Sequence, residues 1–280
     1  MELFIGVVFA LACIFCWGTS DTIITLSLKR MNRWLLLCVS ASIGAVIFLS
    51  IALIQGAFAT ITFENWWYMV IIGIIDVIGM WTFYHSVEKK GLSLAAPMVH
   101  AWAPVTIGLG MIFYGETVGL FQILGTVLIV SGMFIAYMKK NVHIDKGLIY
   151  AFFSMLCWGV LFFFLRVPNE IYGALLTAGL LKAAAAILSF PVVLKKKVSL
   201  STISPRLWGA LGLIGVLDGV GLFSYNFASV NAPLSVVAPI ASATPVICIL
   251  MGLFVLKEKL TKKEAWGVAV TILGMMLVVV

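Results

Sequence analysis

Apolar positions in this chain come in long unbroken blocks, not in narrow stripes. Ten such blocks cover roughly residues 3–26, 34–56, 66–86, 92–114, 118–138, 147–166, 171–194, 207–228, 232–256 and 263–280. Each holds about twenty residues, enough for a helix rising ~1.5 Å per residue to cross a bilayer core. The short alternating segments of a membrane β-barrel do not occur. The pattern predicts an all-α polytopic membrane protein with ten transmembrane helices.

Composition carries the same message. The chain is 63% hydrophobic and 10% charged, with a mean hydropathy of +1.16. A soluble domain carries about a quarter charged residues. Such a sequence cannot hide its apolar side chains in one water-surrounded core, so its solvent is a lipid bilayer. A net charge of +7 would suggest a nucleic-acid partner in a soluble protein. Here the bases sit in short connectors between apolar blocks, which points to membrane topology and to no nucleic acid. All five cysteines fall inside apolar blocks, and Cys13 and Cys16, a lone C-x-x-C, are expected to pack structurally. The stretch from Met1 to Phe9 has no basic leader, so the first block is expected to be a retained helix.

The two halves repeat. Cys16-Trp17-Gly18 matches Cys157-Trp158-Gly159, and Gly73, Asp76 and Gly79 match Gly215, Asp218 and Gly221. Ala96-Pro97 matches Ala238-Pro239, Pro104 pairs with Pro245, and Glu116, Gly125 and Gly132 match Glu258, Gly267 and Gly274. The offset stays nearly constant over most of the chain, so this is one unit duplicated. The first repeat takes residues 1–138, a basic linker 139–146, and the second repeat 147–280. Five spans per repeat is an odd number, so the second copy enters the membrane from the opposite side. This is an inverted repeat, an architecture of secondary transporters.

Loop charge sets the expected orientation. Sixteen of the 18 basic residues fall near the loops after spans one, three, five, seven and nine. The opposite side holds only Arg166, and Lys182 lies inside a span. The positive-inside rule makes the basic loops, including the linker, cytoplasmic and puts both termini outside.

The candidate chemistry lies within the spans. Asp76 and Asp218 sit mid-block in matching G-x-x-D-x-x-G runs. Ionisable residues at that depth are costly and mark function by default. Desolvation disfavours an ionised carboxylate, so such a group can exchange a proton near neutral pH. Lys182 should meet a carboxylate, Asp218, Asp76 or Asp21, or snorkel to the surface; it could also bind a substrate carboxylate or sit in a bridge that breaks on protonation. Asp21 is nearer the basic end of its span and could be a wet interfacial residue beside Lys29 or take part in coupling. Trp17, Trp81, Tyr84, Trp102, Trp158 and Tyr225 cluster at similar depth and offer faces for apolar or cationic groups. His100 lies between Pro97 and Pro104, and Ser242 between Pro239 and Pro245, where helices should break and expose backbone. Glu116 and Glu258 should complement the N-terminal dipoles of the fifth and tenth helices. No tight His/Cys/Asp cluster suggests a metal, no cofactor motif is visible, and no phosphate-cradling G-x-x-x-x-G-K-[ST] run offers ATP drive.

The Trp-Gly in the first span of each repeat, the paired prolines, and the Glu116…Gln122…Gly125…Gly132 and Glu258…Glu264…Gly267…Gly274 patterns resemble the EamA-like transporters of the drug/metabolite transporter superfamily. The resemblance covers essentially the whole chain. It implies two inverted five-helix repeats and a central cavity lined by spans 1–4 and 6–9, with spans 5 and 10 peripheral. Departures exist. An Arg common early in the second helix of a repeat is replaced by Ser40 and Lys182, and Asp21 stands where Asn is more usual. Many members keep their termini in the cytoplasm, against the loop charges here.

The expected function is a secondary transporter of a prokaryotic inner (plasma) membrane. It would work by alternating access, coupled to protons, on a small amine-bearing or zwitterionic, amino-acid-like substrate. The alternatives are a passive facilitator or channel and, against the sequence context of both aspartates, an intramembrane aspartyl hydrolase.

Overall fold

The computed structural model describes residues 1–60, 66–137, 145–197, 203–254 and 261–280. Among the described residues twelve α-helices appear in this order: α1 (Glu2–Leu28), α2 (Arg33–Ile54), α3 (Trp66–Lys90), α4 (Leu92–Val99), α5 (Ala103–Tyr114), α6 (Leu120–Tyr137), α7 (Lys146–Phe164), α8 (Arg166–Lys195), α9 (Pro205–Asn231), α10 (Leu234–Ser242), α11 (Pro245–Phe254) and α12 (Lys262–Val278). A 3₁₀ turn at Ala57–Thr60 follows α2. Eight segments are long and apolar enough to cross a membrane, with α4–α5 and α10–α11 counting as one span each. The shorter pair α6 and α12 completes a ten-helix, all-α membrane fold of two inverted five-helix repeats. The predicted spans agree with these helices to within a few residues, apart from α8, whose first turns begin earlier.

Local chemistry explains several helix ends. Asn32 Oδ1 accepts from Trp34 N at 2.9 Å, and Asp145 Oδ1 accepts from Gly147 N at 2.9 Å. Thr261 and Glu264 form a reciprocal capping box at the start of α12. Each satisfies a backbone N–H that has no partner within its own helix. Gly173 interrupts α8 at φ 75°, a left-handed conformation that glycine adopts without a Cβ clash.

Pairing follows the symmetry that inversion demands. α2 packs along α8 and α6 along α12, each helix meeting its own counterpart. α1 packs along α9 while α3 packs along α7, so the other two equivalences are exchanged between repeats. Small residues allow this close approach. A Cβ on Gly132 would lie 2.7 Å from the Gly267 carbonyl oxygen, and one on Gly267 would lie 2.5 Å from Ala136 N.

The bundle is apolar outside and polar inside. Ile54 is 85% exposed, and Ile112, Phe254 and Ile187 are also widely exposed, whereas Asp21, Asp76, Lys182 and His100 are buried. Trp66 and Trp67 are exposed at the start of α3, a placement suited to the membrane–water interface. Lipid takes the outer surface, and the interior is left for charge.

Candidate functional site

The repeats meet around a cavity. Its wall comes from α1 (Trp17, Asp21, Ile24), α3 (Asp76, Met80), the α4–α5 break (His100, Trp102), α7 (Trp158, Leu161, Phe162), α8 (Leu181, Lys182) and α9 (Asp218, Leu222). Asp76 and Asp218 lie roughly 20 Å along their helices from the basic ends, near the middle of the bundle.

The sequence motifs interlock across the repeat boundary. A Cβ on Gly221 would lie 2.5 Å from the Trp17 ring, and one on Gly79 would lie 2.8 Å from the Trp158 ring. The Trp of each repeat therefore lies on the last glycine of the other repeat's G-x-x-D-x-x-G run. The glycine after each Trp is matched in the same way. Thr106 Oγ1 donates to the Gly159 carbonyl at 3.0 Å, and Cys248 Sγ to the Gly18 carbonyl at 3.6 Å. These bonds tie the two Trp-Gly pairs to the second halves of the broken spans. The breaks form because proline cannot continue the hydrogen-bond ladder. α4 stops at Val99 and α5 resumes at Ala103, while α10 stops at Ser242 and α11 starts at Pro245.

Charge is distributed unequally. Lys182 Nζ donates to Asp218 Oδ2 at 2.5 Å, with the two side chains 7% and 18% exposed. That identifies Lys182's partner among the three carboxylates. His100 Nε2 lies 2.8 Å from Asp21 Oδ2, and both side chains are buried. Asp21 is thus enclosed beneath the break in span four and is not a wet interfacial residue beside Lys29. Asp76 Oδ2 is buried and has no hydrogen-bond partner among the described residues. Leaving a buried polar group unpaired is costly, more so when it is charged.

Eight of the eleven expected site residues line the cavity: Asp76, Asp218, Lys182, Asp21, Trp17, Trp158, His100 and Trp102. Three stand behind it. Tyr225 packs against Trp17, Phe162 and Trp102, and its hydroxyl donates to the Phe162 carbonyl at 3.4 Å. Tyr84 is fully enclosed in the helix interface. Ser242 turns back to donate to the Pro239 carbonyl at 2.7 Å. Trp81 belongs to a separate cluster with His85, Trp34 and Tyr150. Glu116 does not cap the next helix, which starts at Leu120; its Oε1 accepts from Arg166 at 2.9 Å. Glu258 lies outside the described residues.

Phe162 is a wall residue that motif reading passed over. It occupies the second-repeat position matching Asp21, and its ring lies 4.3 Å from Trp102 and 5.2 Å from Trp17, between centroids. Repeat arithmetic alone could have marked it. Met80, Ile24, Leu161, Leu181 and Leu222 carry no sequence signal that separates them from ordinary apolar packing.

Comparison with known proteins places the fold. The sequence pattern of the EamA-like transporter family matches residues 4–138 and again 145–280. An uncharacterized transporter of Archaeoglobus fulgidus is 23% identical over 277 residues, covering 97% of this chain and 96% of that protein. A protein known from its crystal structure superposes with a TM-score of 0.82 at 15% identity, covering 97% of this chain and 95% of the other. The last likeness speaks for a shared fold.

Proposed function

We propose that this chain, which belongs to the EamA-like transporter family, is a secondary transporter that moves a small amine-bearing or zwitterionic metabolite by proton-coupled alternating access. Membership makes it a membrane transporter; the substrate class, the coupling and the mechanism are our reading. One observation carries it: inverted repeats spanning the whole chain enclose a carboxylate-lined cavity midway along the bundle. Inverted repeats sharing a central site can exchange conformations by rocking one against the other, opening the site to each side in turn.

In this reading Asp76, Asp218, Lys182, Asp21 and His100 bind substrate or protons. Trp17, Trp158 and Trp102 shape the apolar part of the site, with Tyr84, Tyr225 and Ser242 supporting it from behind. No residue is assigned a catalytic role. The loops rich in Lys and Arg, including the link 139–146 between the two repeat units, face the cytoplasm of a prokaryotic cell. Both termini face outward.

The test is uptake by proteoliposomes incubated with mixed radiolabelled small amines and amino acids. A pH gradient should accelerate accumulation of at least one of them, and Asp76→Asn should abolish the gradient's effect while the protein still folds. Flux indifferent to the gradient in the wild type would replace the coupled carrier with a passive facilitator.

A further inference from the structure

The cavity's charges are not equally available. Lys182 is the lysine on the wall, and its ammonium is hydrogen-bonded to Asp218. Lys182 also lies within electrostatic reach of Asp76, yet its hydrogen bond goes to Asp218. Asp21 is engaged by His100. Asp76 alone among the three wall carboxylates presents a buried oxygen with no hydrogen-bond partner among the described residues.

Counting the wall gives three carboxylates against one ammonium. With all three carboxylates ionised the acidic excess is two charges when His100 is neutral and one when it is protonated. A substrate carboxylate entering this space would meet a net negative field, and the ammonium that could receive it is already paired. A cation would meet an unpaired acceptor. The surroundings of that acceptor are aromatic. Gly79 stands one helical turn after Asp76 on the same side of α3, and the Trp158 ring lies directly against it. Phe162 and Trp102, with centroids 4.3 Å apart, continue the aromatic wall. Aromatic faces attract cations most strongly where water is excluded.

We infer that the site takes a small organic cation and not a zwitterion, with the substrate's ammonium on Asp76 and its apolar body against Trp158, Phe162 and Trp102. This rests on the transporter reading above and narrows its substrate class. Asp76 then supplies the charge that selects the ligand. The Lys182–Asp218 pair leaves no free ammonium on the wall and so denies a carboxylate its partner.

The experiment compares three probes sharing one aromatic body: 2-phenylethylamine, phenylalanine and 2-phenylethanol. Binding to the purified full chain in detergent is read by quenching of tryptophan fluorescence and by calorimetry. The amine should bind at least about tenfold more tightly than either other probe, the factor that ~1.4 kcal/mol of charge pairing supplies. Asp76→Asn should remove that preference, while Asp76→Glu should keep it. Equal or tighter binding of phenylalanine overturns the inference, as does an amine preference that survives Asp76→Asn. A wild type that binds none of the three also overturns it. Failure here leaves gradient-driven flux as a separate result. Conversely, amine binding without any flux would sink the carrier reading and leave the cation site standing.

Discussion

In the first repeat, Asp76 stands with an unpartnered oxygen on the cavity wall; in the second, its counterpart Asp218 is held by Lys182. The backbone positions are equivalent, so the difference lies in the neighbouring helix. Where the second repeat has Lys182, the first has Ser40, whose hydroxyl donates to its own helix at the Leu36 carbonyl, 2.8 Å away. A serine is too short to cross to α3. The same asymmetry runs the other way at the broken spans. His100 is long enough to reach Asp21 across the interface. Ser242 bonds within its own turn, and Phe162 stands where a matching acid would be. Duplication supplied one frame twice, and later divergence gave one copy a paired charge and the other a free one.

The comparison breaks most visibly through the ion pair. Removing one partner of a buried pair leaves an uncompensated charge, at about 3–5 kcal/mol. Lys182→Met or Asp218→Leu should therefore destabilise the detergent-solubilised protein by that order, measured by denaturation followed through tryptophan fluorescence. The double variant should recover most of the loss, because replacing both partners by apolar groups of similar volume removes the uncompensated charge. Asp76→Asn should cost little, since no hydrogen bond is lost. A loss at Asp76 as large as that at Asp218 would mean that the two acids play the same structural part.

A second test sharpens what the repeats share. A Cβ at Gly79 or Gly221 would press into the indole of the facing repeat. Gly79→Ala and Gly221→Ala should each cost about 1–3 kcal/mol through overpacking. Gly108→Ala, with nothing within 4 Å of the added carbon, should show no loss and serves as the control. Matched costs at the two Trp-Gly contacts would confirm that the frame is symmetric where the charges are not.

The smallest effect lies at the junction between repeats. Asp145 caps α7 and pairs with Lys90 of α3 at 2.7 Å, which holds its carboxyl below the ordinary value of 3.8. A depressed folded value contributes stability above the unfolded value, and that contribution fades as pH falls through the folded one. Asp145→Asn should therefore lower the melting temperature slightly at neutral pH. The gap from wild type should narrow as the pH falls below the ordinary carboxylate range. A gap independent of pH would assign the effect to the capping geometry and not to the charge.

Much of this protein was legible before folding. Ten apolar blocks fix ten helices, because a bilayer leaves no other way to satisfy the backbone of a long apolar segment. The repeat offset and odd span count fix inversion. The depth of Asp76, Asp218 and Lys182 marks the interior, since no charge at that level can face lipid cheaply. The prolines beside His100 and Ser242 mark where helices break.

Partner choice was not legible. The sequence offered Lys182 three carboxylates; α8 packs against both α3 and α9, and only the folded arrangement puts its hydrogen bond on Asp218. Asp21 looked interfacial until the break in span four brought His100 over it. Tyr84 and Tyr225 share the depth of the cavity wall yet do not line it, because rotation about a helix axis is set by its neighbours. Membrane insertion is decided segment by segment, so the sequence could determine it alone. Which charge stays unpaired depends on distances between segments far apart in the chain, and those exist only once the helices have packed.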